Sequence, residues 1–155
     1  WLCGELGLAA EALHCWQQGD QSTAVMQAFG EVQPRFVDGI RLREAGVRCC
    51  IDVSDGLLAD ATHLAEDSGV GMQFELSPIA SFGTLAQRLN TQDAANLVLA
   101  GGEDYALLCT APAGLREKLS EFAVCIGCCT KQQGVQVLLH GETITAEKRG
   151  YDHFN

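Results

Sequence analysis

An apolar run from Cys49 to Val53 ends in Ser54-Asp55-Gly56 and gives way at once to residues that recur at helical spacing: Leu57, Leu58, Ala61, Leu64 and Ala65. The pattern predicts a buried strand from Val47 to Val53 that turns directly into an amphipathic helix, Leu57 to Ala65, and such a helix must pack against a sheet. The same junction places two carboxylates, Asp52 and Asp55, three positions apart with Ser54 between them. Two readings are open on these residues alone. In one, Ser54 or Asp55 is the helix N-cap and nothing more. In the other, Asp52 near the strand end and Asp55 on the first helical turn reach one hard divalent cation. Mg²⁺ is usually held by one or two carboxylates together with phosphate oxygens and water. A helix N-terminus offers free N–H groups and a positive dipole end to the phosphate. Asp60, farther along the helix, is expected to face solvent.

The rest of the pattern mixes helices and strands. Apolar spacing predicts a first helix from Leu2 to about Gln17, broken at Gly19-Asp20, and a second, short one capped by Ser22 and running to Phe29. A third segment, Arg35 to Ala45, puts Phe36, Ile40 and Val37 on one face, with Gly46 as its left-handed terminator. Alternation predicts a strand from Gly71 to Leu76, stopped by Pro78. Helices follow at Leu85–Leu89 and Asp93–Ala100, then a strand at Tyr105–Thr110 and a helix at Gly114–Phe122. A short strand is expected at Val124–Gly127. A hairpin of Val135–Leu139 with Thr143–Ala146 crosses His140-Gly141-Glu142. There is no strict βαβ rhythm. The expected class is α+β, a mixed or mainly antiparallel sheet packed by helices, in one domain of 155 residues.

Charge narrows the function. Twenty Asp and Glu face ten Lys and Arg, a net charge of −10, so the basic footprint that nucleic acid demands is missing. Phosphate esters remain possible ligands, since a metal ion can supply the positive charge. No apolar run reaches the length of a membrane span, and the cytoplasm is the expected location. Of the eight cysteines, those at 15, 49, 50, 109 and 125 sit in apolar stretches as small hydrophobes. Cys125-x-x-Cys128-Cys129 lacks the second ligand pair that structural zinc requires. The chain begins at Trp1 inside a predicted helix, and the expectation is that the start of the natural protein is missing.

Two further clusters stand out. In Gly101-Gly102-Glu103-Asp104-Tyr105 the glycines permit backbone geometry that other residues resist and allow close approach to a ligand, and two acids follow. Near the C-terminus, Arg149-Gly150-Tyr151-Asp152-His153-Phe154 carries two aromatics and a histidine where chains usually fray. A tyrosine there can stack on a heteroaromatic ring. A plain turn with solvated acids, and aromatics that cover the domain's own core, are the simpler readings of these two. No Walker A loop, GxGxxG or Ser-His-Asp order is present.

Taken together, Asp52-Val53-Ser54-Asp55-Gly56-Leu57, Gly102-Glu103-Asp104-Tyr105 and Gly150-Tyr151-Asp152-His153-Phe154, with Gln33-Pro34-Arg35, resemble bacterial thiamine-monophosphate kinase. The resemblance covers nearly the whole chain but only the C-terminal half of that family. It implies the C-terminal-domain fold of the aminoimidazole ribonucleotide synthetase superfamily. The implied reaction is ATP-dependent phosphorylation of thiamine monophosphate to thiamine diphosphate, by direct transfer assisted by Mg²⁺. It further implies Asp52 and Asp55 as metal ligands, Ser54 as a contact to ATP phosphate, and Glu103 and Tyr151 as contacts to the substrate. No catalytic protein nucleophile is implied. The N-terminal ATP- and metal-binding domain would be the missing partner, the whole protein a homodimer, and this fragment inactive, with the face its partner covers left exposed. One position departs: Ala106 stands where the family commonly carries Glu, although strand alternation turns residue 106 away from Tyr105. The alternatives are another ATP-dependent member of the superfamily (aminoimidazole ribonucleotide synthetase, selenophosphate synthetase or hydrogenase-maturation type) or a non-catalytic acidic binding module.

Overall fold

The structure, a computed structural model, describes residues 1–22, 27, 30–31 and 33–146. Its strands are β1 (Leu2–Cys3), β2 (Cys49–Val53), β3 (Gly71–Glu75), β4 (Ala106–Thr110), β5 (Gly127–Thr130), β6 (Gly134–Leu139) and β7 (Glu142–Thr143). Its helices are α1 (Leu8–Gln17), α2 (Phe36–Ala45), α3 (Leu57–Ser68), α4 (Ala80–Arg88), α5 (Thr91–Ala100) and α6 (Arg116–Leu119), the last preceded by a 3₁₀ turn at Ala113–Leu115. The strands form two sheets. One is antiparallel in the order β1-β4-β2; the other runs β5-β3-β6-β7, with β3 and β6 parallel and the remaining pairs antiparallel. This is the α+β, mixed and mainly antiparallel arrangement expected from the sequence.

The apolar periodicities meet in one principal core. Leu57, Ala61 and Ala65 of α3, Val98 and Leu99 of α5, and Phe82 and Leu85 of α4 pack with Val53, Ala106 and Leu108 from the first sheet and Met72, Phe74 and Val137 from the second. The first sheet is covered on its other face as well. There Cys3 and Cys109 pack with Leu42 and Ala45 of α2 and with Leu119 and Ala123. Both faces of β4 are therefore apolar, which is why Ala106-Leu107-Leu108-Cys109 reads as a continuous hydrophobic run. The outward side of α2 is different: Phe36 is 76% exposed, Val37 69% and Ile40 49%.

Several local expectations need correction. Leu2 and Cys3 are not helical. Leu2 exchanges 2.8 Å backbone bonds with Val124 and lies opposite Leu108, and the helix starts only at Leu8, after Gly4 and Gly7 adopt positive φ. Residues 124–127 do not form a strand of their own: Val124 makes an isolated bridge to Leu2, and β5 begins at Gly127. The 114–122 helix shrinks to a 3₁₀ turn and a single α-turn. The hairpin turn is two residues long, with His140 and Gly141 both at positive φ, the I′ pattern that matches strand twist. Most of the helix expected at 22–29 lies outside the described residues.

Candidate functional site

The first sheet brings the two acidic motifs together. β2 and β4 pair so that Asp52 stands opposite Leu107 and Val53 opposite Ala106. The pairing continues past both strand ends: Tyr105 N–H donates to Val53 O and Glu103 N–H to Ser54 O, each at 2.9 Å. Ser54-Asp55-Gly56 and Gly102-Glu103-Asp104 are thus two loops joined at one end of a ladder. Gly102 lies so close to the first loop that a Cβ there would sit 2.4 Å from Ser54 O. A Cβ on Gly101 would meet Leu97 O at 2.3 Å. The glycines serve close contact within the chain and not a positive-φ turn. The left-handed residues are instead Glu103 (φ 68°) and Tyr105 (φ 51°). Non-glycine residues in that region cost about 1–3 kcal/mol each, and such conformations cluster at functional sites.

Two carboxylates, Asp60 buried and Asp104 half-buried, support these loops, and neither was assigned from the sequence. Asp60 is 4% exposed, not solvent-facing, and its Oδ2 accepts the N–H groups of Ser54 (3.0 Å) and Asp55 (3.1 Å). Gly56 occupies the N-cap position of α3 without a side-chain cap, so neither Ser54 nor Asp55 is the cap. Burial raises the Asp60 pKa, opposed by the backbone N–H bonds it accepts. The signal was present in the sequence: residue 60 falls on the stripe of Leu57, Ala61 and Leu64, where an acid must be buried and hydrogen-bonded. Asp104 does the same for the second loop. Its Oδ2 accepts from Gly7 N–H at 2.6 Å and its Oδ1 from Ala9 N–H at 3.1 Å, at the N-terminus of α1. Burial pushes its carboxyl up to about 6, more than those bonds lower it.

With Asp60 and Asp104 committed to the backbone, the remaining acids are turned outward. Asp52 and Glu103 are exposed and Asp55 is half-buried. Tyr105 stands among them: its hydroxyl donates to Glu103 Oε2 at 3.1 Å. That bond raises the Tyr105 pKa, helped by the charge of Glu103 and, more weakly, by burial and by the charges of Asp52 and Asp55. Asp52, Ser54, Asp55 and Glu103 are therefore gathered in one place, and Tyr105 joins them as a residue without an earlier role. Tyr151 lies outside the described residues. Ala106 is fully buried, and a Cβ on Gly4 would lie 3.1 Å from its own Cβ, so position 106 points into the core and away from the acids. Beside the acids, Pro34, Phe36, Ile40, Asp52, Tyr105 and Leu107 line a groove of about 650 Å³.

The donors are of the kind a hard cation takes: the exposed carboxylate of Asp52 at the strand end and the half-buried one of Asp55 on the loop. Among the described residues no group of three or more His, Cys, Asp or Glu is placed to hold a metal ion. Asp52 and Asp55 would therefore supply at most part of a cation's ligand set. Among the described residues no helix is long and apolar enough to cross a membrane.

This fold, with an acid-lined loop pair at the end of its antiparallel sheet, is of the aminoimidazole ribonucleotide synthetase-like type. Within that type the chain is a relative of the thiamine-monophosphate kinases. It is 33% identical over 129 residues to the enzyme of Escherichia coli strain K12, a match covering 78% of this chain and 39% of that protein. The crystal structure of thiamine-monophosphate kinase from Stenotrophomonas maltophilia K279a is 35% identical, with a TM-score of 0.78 over 93% of this chain and 50% of that one. AaThiL, solved in complex with AMPPCP and TMP, is 26% identical, with a TM-score of 0.77 over 99% of this chain and 50% of that one. The chain spans about two fifths of the length of the curated relatives it matches. No protein-family model matches it.

Proposed function

We propose that this chain is the C-terminal half of a thiamine-monophosphate kinase, and that the whole protein transfers the γ-phosphoryl group of ATP to thiamine monophosphate, giving ADP and thiamine diphosphate. The observation that carries the reading is the joining of the Asp52-Ser54-Asp55 and Glu103-Tyr105 loops by the Glu103–Ser54 and Tyr105–Val53 backbone bonds. The similarity to thiamine-monophosphate kinases, one of them solved with AMPPCP and TMP, supports it.

In this reading Asp52 and Asp55 would hold Mg²⁺, whose charge would offset that of the phosphates. Ser54 contacts ATP phosphate. Glu103 accepts a hydrogen bond from the substrate, and Tyr151 packs on its rings. No protein side chain forms a covalent intermediate. The chain's task is to position and to balance charge, which is most of what phosphoryl transfer needs. Asp60 and Asp104 act through the loops they hold. The exposed Phe36, Val37 and Ile40 belong to the face that an N-terminal domain covers. The whole protein is a cytoplasmic homodimer in this reading, and the chain by itself is inactive.

The test is to incubate the full-length protein with ATP, Mg²⁺ and thiamine monophosphate and to assay thiamine diphosphate by chromatography. Product formation is expected. A folded full-length protein that makes none, while a panel of other phosphate-acceptor substrates is turned over, would overturn the reading.

A further inference from the structure

The far end of the β2–β4 ladder carries a feature unrelated to phosphate chemistry. Cys50 and Cys109 are register partners on adjacent antiparallel strands. The hydrogen-bond phase fixes which kind of pair they are. Trp1 N donates to Cys109 O at 2.8 Å, and Cys109 N–H donates to Trp1 O at 2.9 Å. Both backbone groups of Cys109 therefore point toward β1. Its pairing with Cys50 on the other side is of the non-hydrogen-bonded kind, in which the Cα atoms are about 4.5 Å apart and the side chains closest. That separation lies within the range of about 4.4–6.8 Å that a disulfide spans. The two residues also differ in access: Cys50 is exposed, whereas Cys109 is 1% exposed beneath α2 and Ala123.

We propose that Cys50 and Cys109 form a reversible thiol–disulfide site, oxidised by exchange with a small-molecule disulfide such as oxidised glutathione. The pKa of the Cys50 thiol is pushed up to about 11, chiefly by burial and then by Cys109, so it attacks the glutathione disulfide through its minor thiolate fraction. A mixed disulfide forms and one reduced glutathione leaves. The Cys109 sulfur then attacks the Cys50 sulfur of the mixed disulfide, loses its proton and expels the second glutathione. The balance is two protein thiols and one glutathione disulfide giving one protein disulfide and two reduced glutathiones. Other pairings fit less well. Cys3 lies opposite Leu107 and is diagonal to Cys109, at a spacing of about 7–8 Å that exceeds disulfide reach. Cys49 points to the opposite face from Cys50 and stands opposite Thr110. Cys128 and Cys129 stand opposite Gln73 and Met72.

Trypsin makes the test direct. Cleavage after Arg48, Arg88 and Arg116 puts Cys49 and Cys50 on one peptide, 49–88, and leaves Cys109 as the one cysteine of peptide 89–116. The chain is exposed to oxidised glutathione, its remaining thiols are blocked, and the non-reduced digest is read by mass spectrometry. The expected result is a covalent pair of peptides 49–88 and 89–116 that dithiothreitol separates, with two fewer free thiols than the eight of the sequence. The pair is expected to persist in Cys49→Ala and to vanish in Cys50→Ala, which alters an exposed position. A pair that survives in Cys50→Ala, a bridge confined to Cys125, Cys128 and Cys129, or Cys50 recovered only as its glutathione adduct would each overturn the proposal.

Discussion

Where β2 runs into Ser54 and β4 begins after Tyr105, the groups that face outward are oxygens: Asp52, Asp55, Glu103 and the Tyr105 hydroxyl. Four residues away, toward the other end of the same ladder, they are thiols and aliphatic carbons, with the exposed Cys50 opposite Cys109 and with α2 and α6 packed over Cys109. The strands are regular throughout. What differs is the support behind each end. At the apolar end, side-chain packing suffices. At the acidic end, each loop is anchored through a carboxylate that accepts two backbone N–H groups, the buried Asp60 for one and the half-buried Asp104 for the other. Four outward acids and hydroxyls are held in place because two inward acids are satisfied first.

That contrast can be broken from either side. The largest stability loss is expected for Gly101→Ala, because the new Cβ would meet Leu97 O at 2.3 Å and Ala10 Cβ at 2.7 Å. We expect about 3 kcal/mol in urea denaturation, at the upper end of overpacking costs. Asp60→Ala should follow at about 2–3 kcal/mol, since it strands two N–H groups at a buried site. Asp60→Asn should recover most of that, because both bonds go to a single oxygen, which an amide oxygen can replace. An Asn variant as unstable as the Ala variant would show that charge, and not hydrogen bonding, is what the loop requires.

Asp104 gives a pH-dependent version of the same test. Its folded pKa, about 6, lies above the ordinary value of 3.8 because burial disfavours the ionised form. Its favourable contribution is therefore complete below about pH 4 and is lost as the pH rises through 6. The stability of the unmodified chain minus that of Asp104→Asn should fall by about 2 kcal/mol between pH 4 and pH 7. A difference that does not change with pH would remove Asp104 from the account. At the apolar end, Cys50→Ala should change stability by less than about 0.5 kcal/mol, as exposed substitutions usually do. A large loss there would mean that the thiol end also depends on a polar anchor.

The sequence made the acidic end partly legible, and the reasons are local. A strand that becomes a helix within three residues fixes where Asp52 and Asp55 lie relative to each other, whatever the rest of the fold does. Asp60 was readable too, from its place on the apolar stripe of α3. Asp104 was not, because its partners at Gly7 and Ala9 are 97 and 95 residues away and no spacing rule spans that distance. The N-terminus misled for a similar reason. Leu2 and Leu6 have helical spacing, but Leu2 is claimed by Val124 and Leu108, and the positive φ of Gly4 and Gly7 delays the helix to Leu8. The two glycines at 101–102 marked the right place for a different purpose: they admit the backbone of Ser54 and Leu97, while Glu103 and Tyr105 carry the unusual conformations.

The proposed function rests most heavily on Asp52 and Asp55, which would hold the Mg²⁺ that balances phosphate charge. The most direct measurement is thiamine diphosphate formation by the full-length protein carrying Asp52→Asn, compared with the unmodified protein at saturating Mg²⁺ and ATP. Asp52 is exposed and supports no backbone bond of the loop, so the variant should fold normally. A fall in turnover of about 100-fold or more is expected, corresponding to about 3 kcal/mol of lost transition-state stabilisation. Turnover within about twofold of the unmodified protein would contradict the assignment.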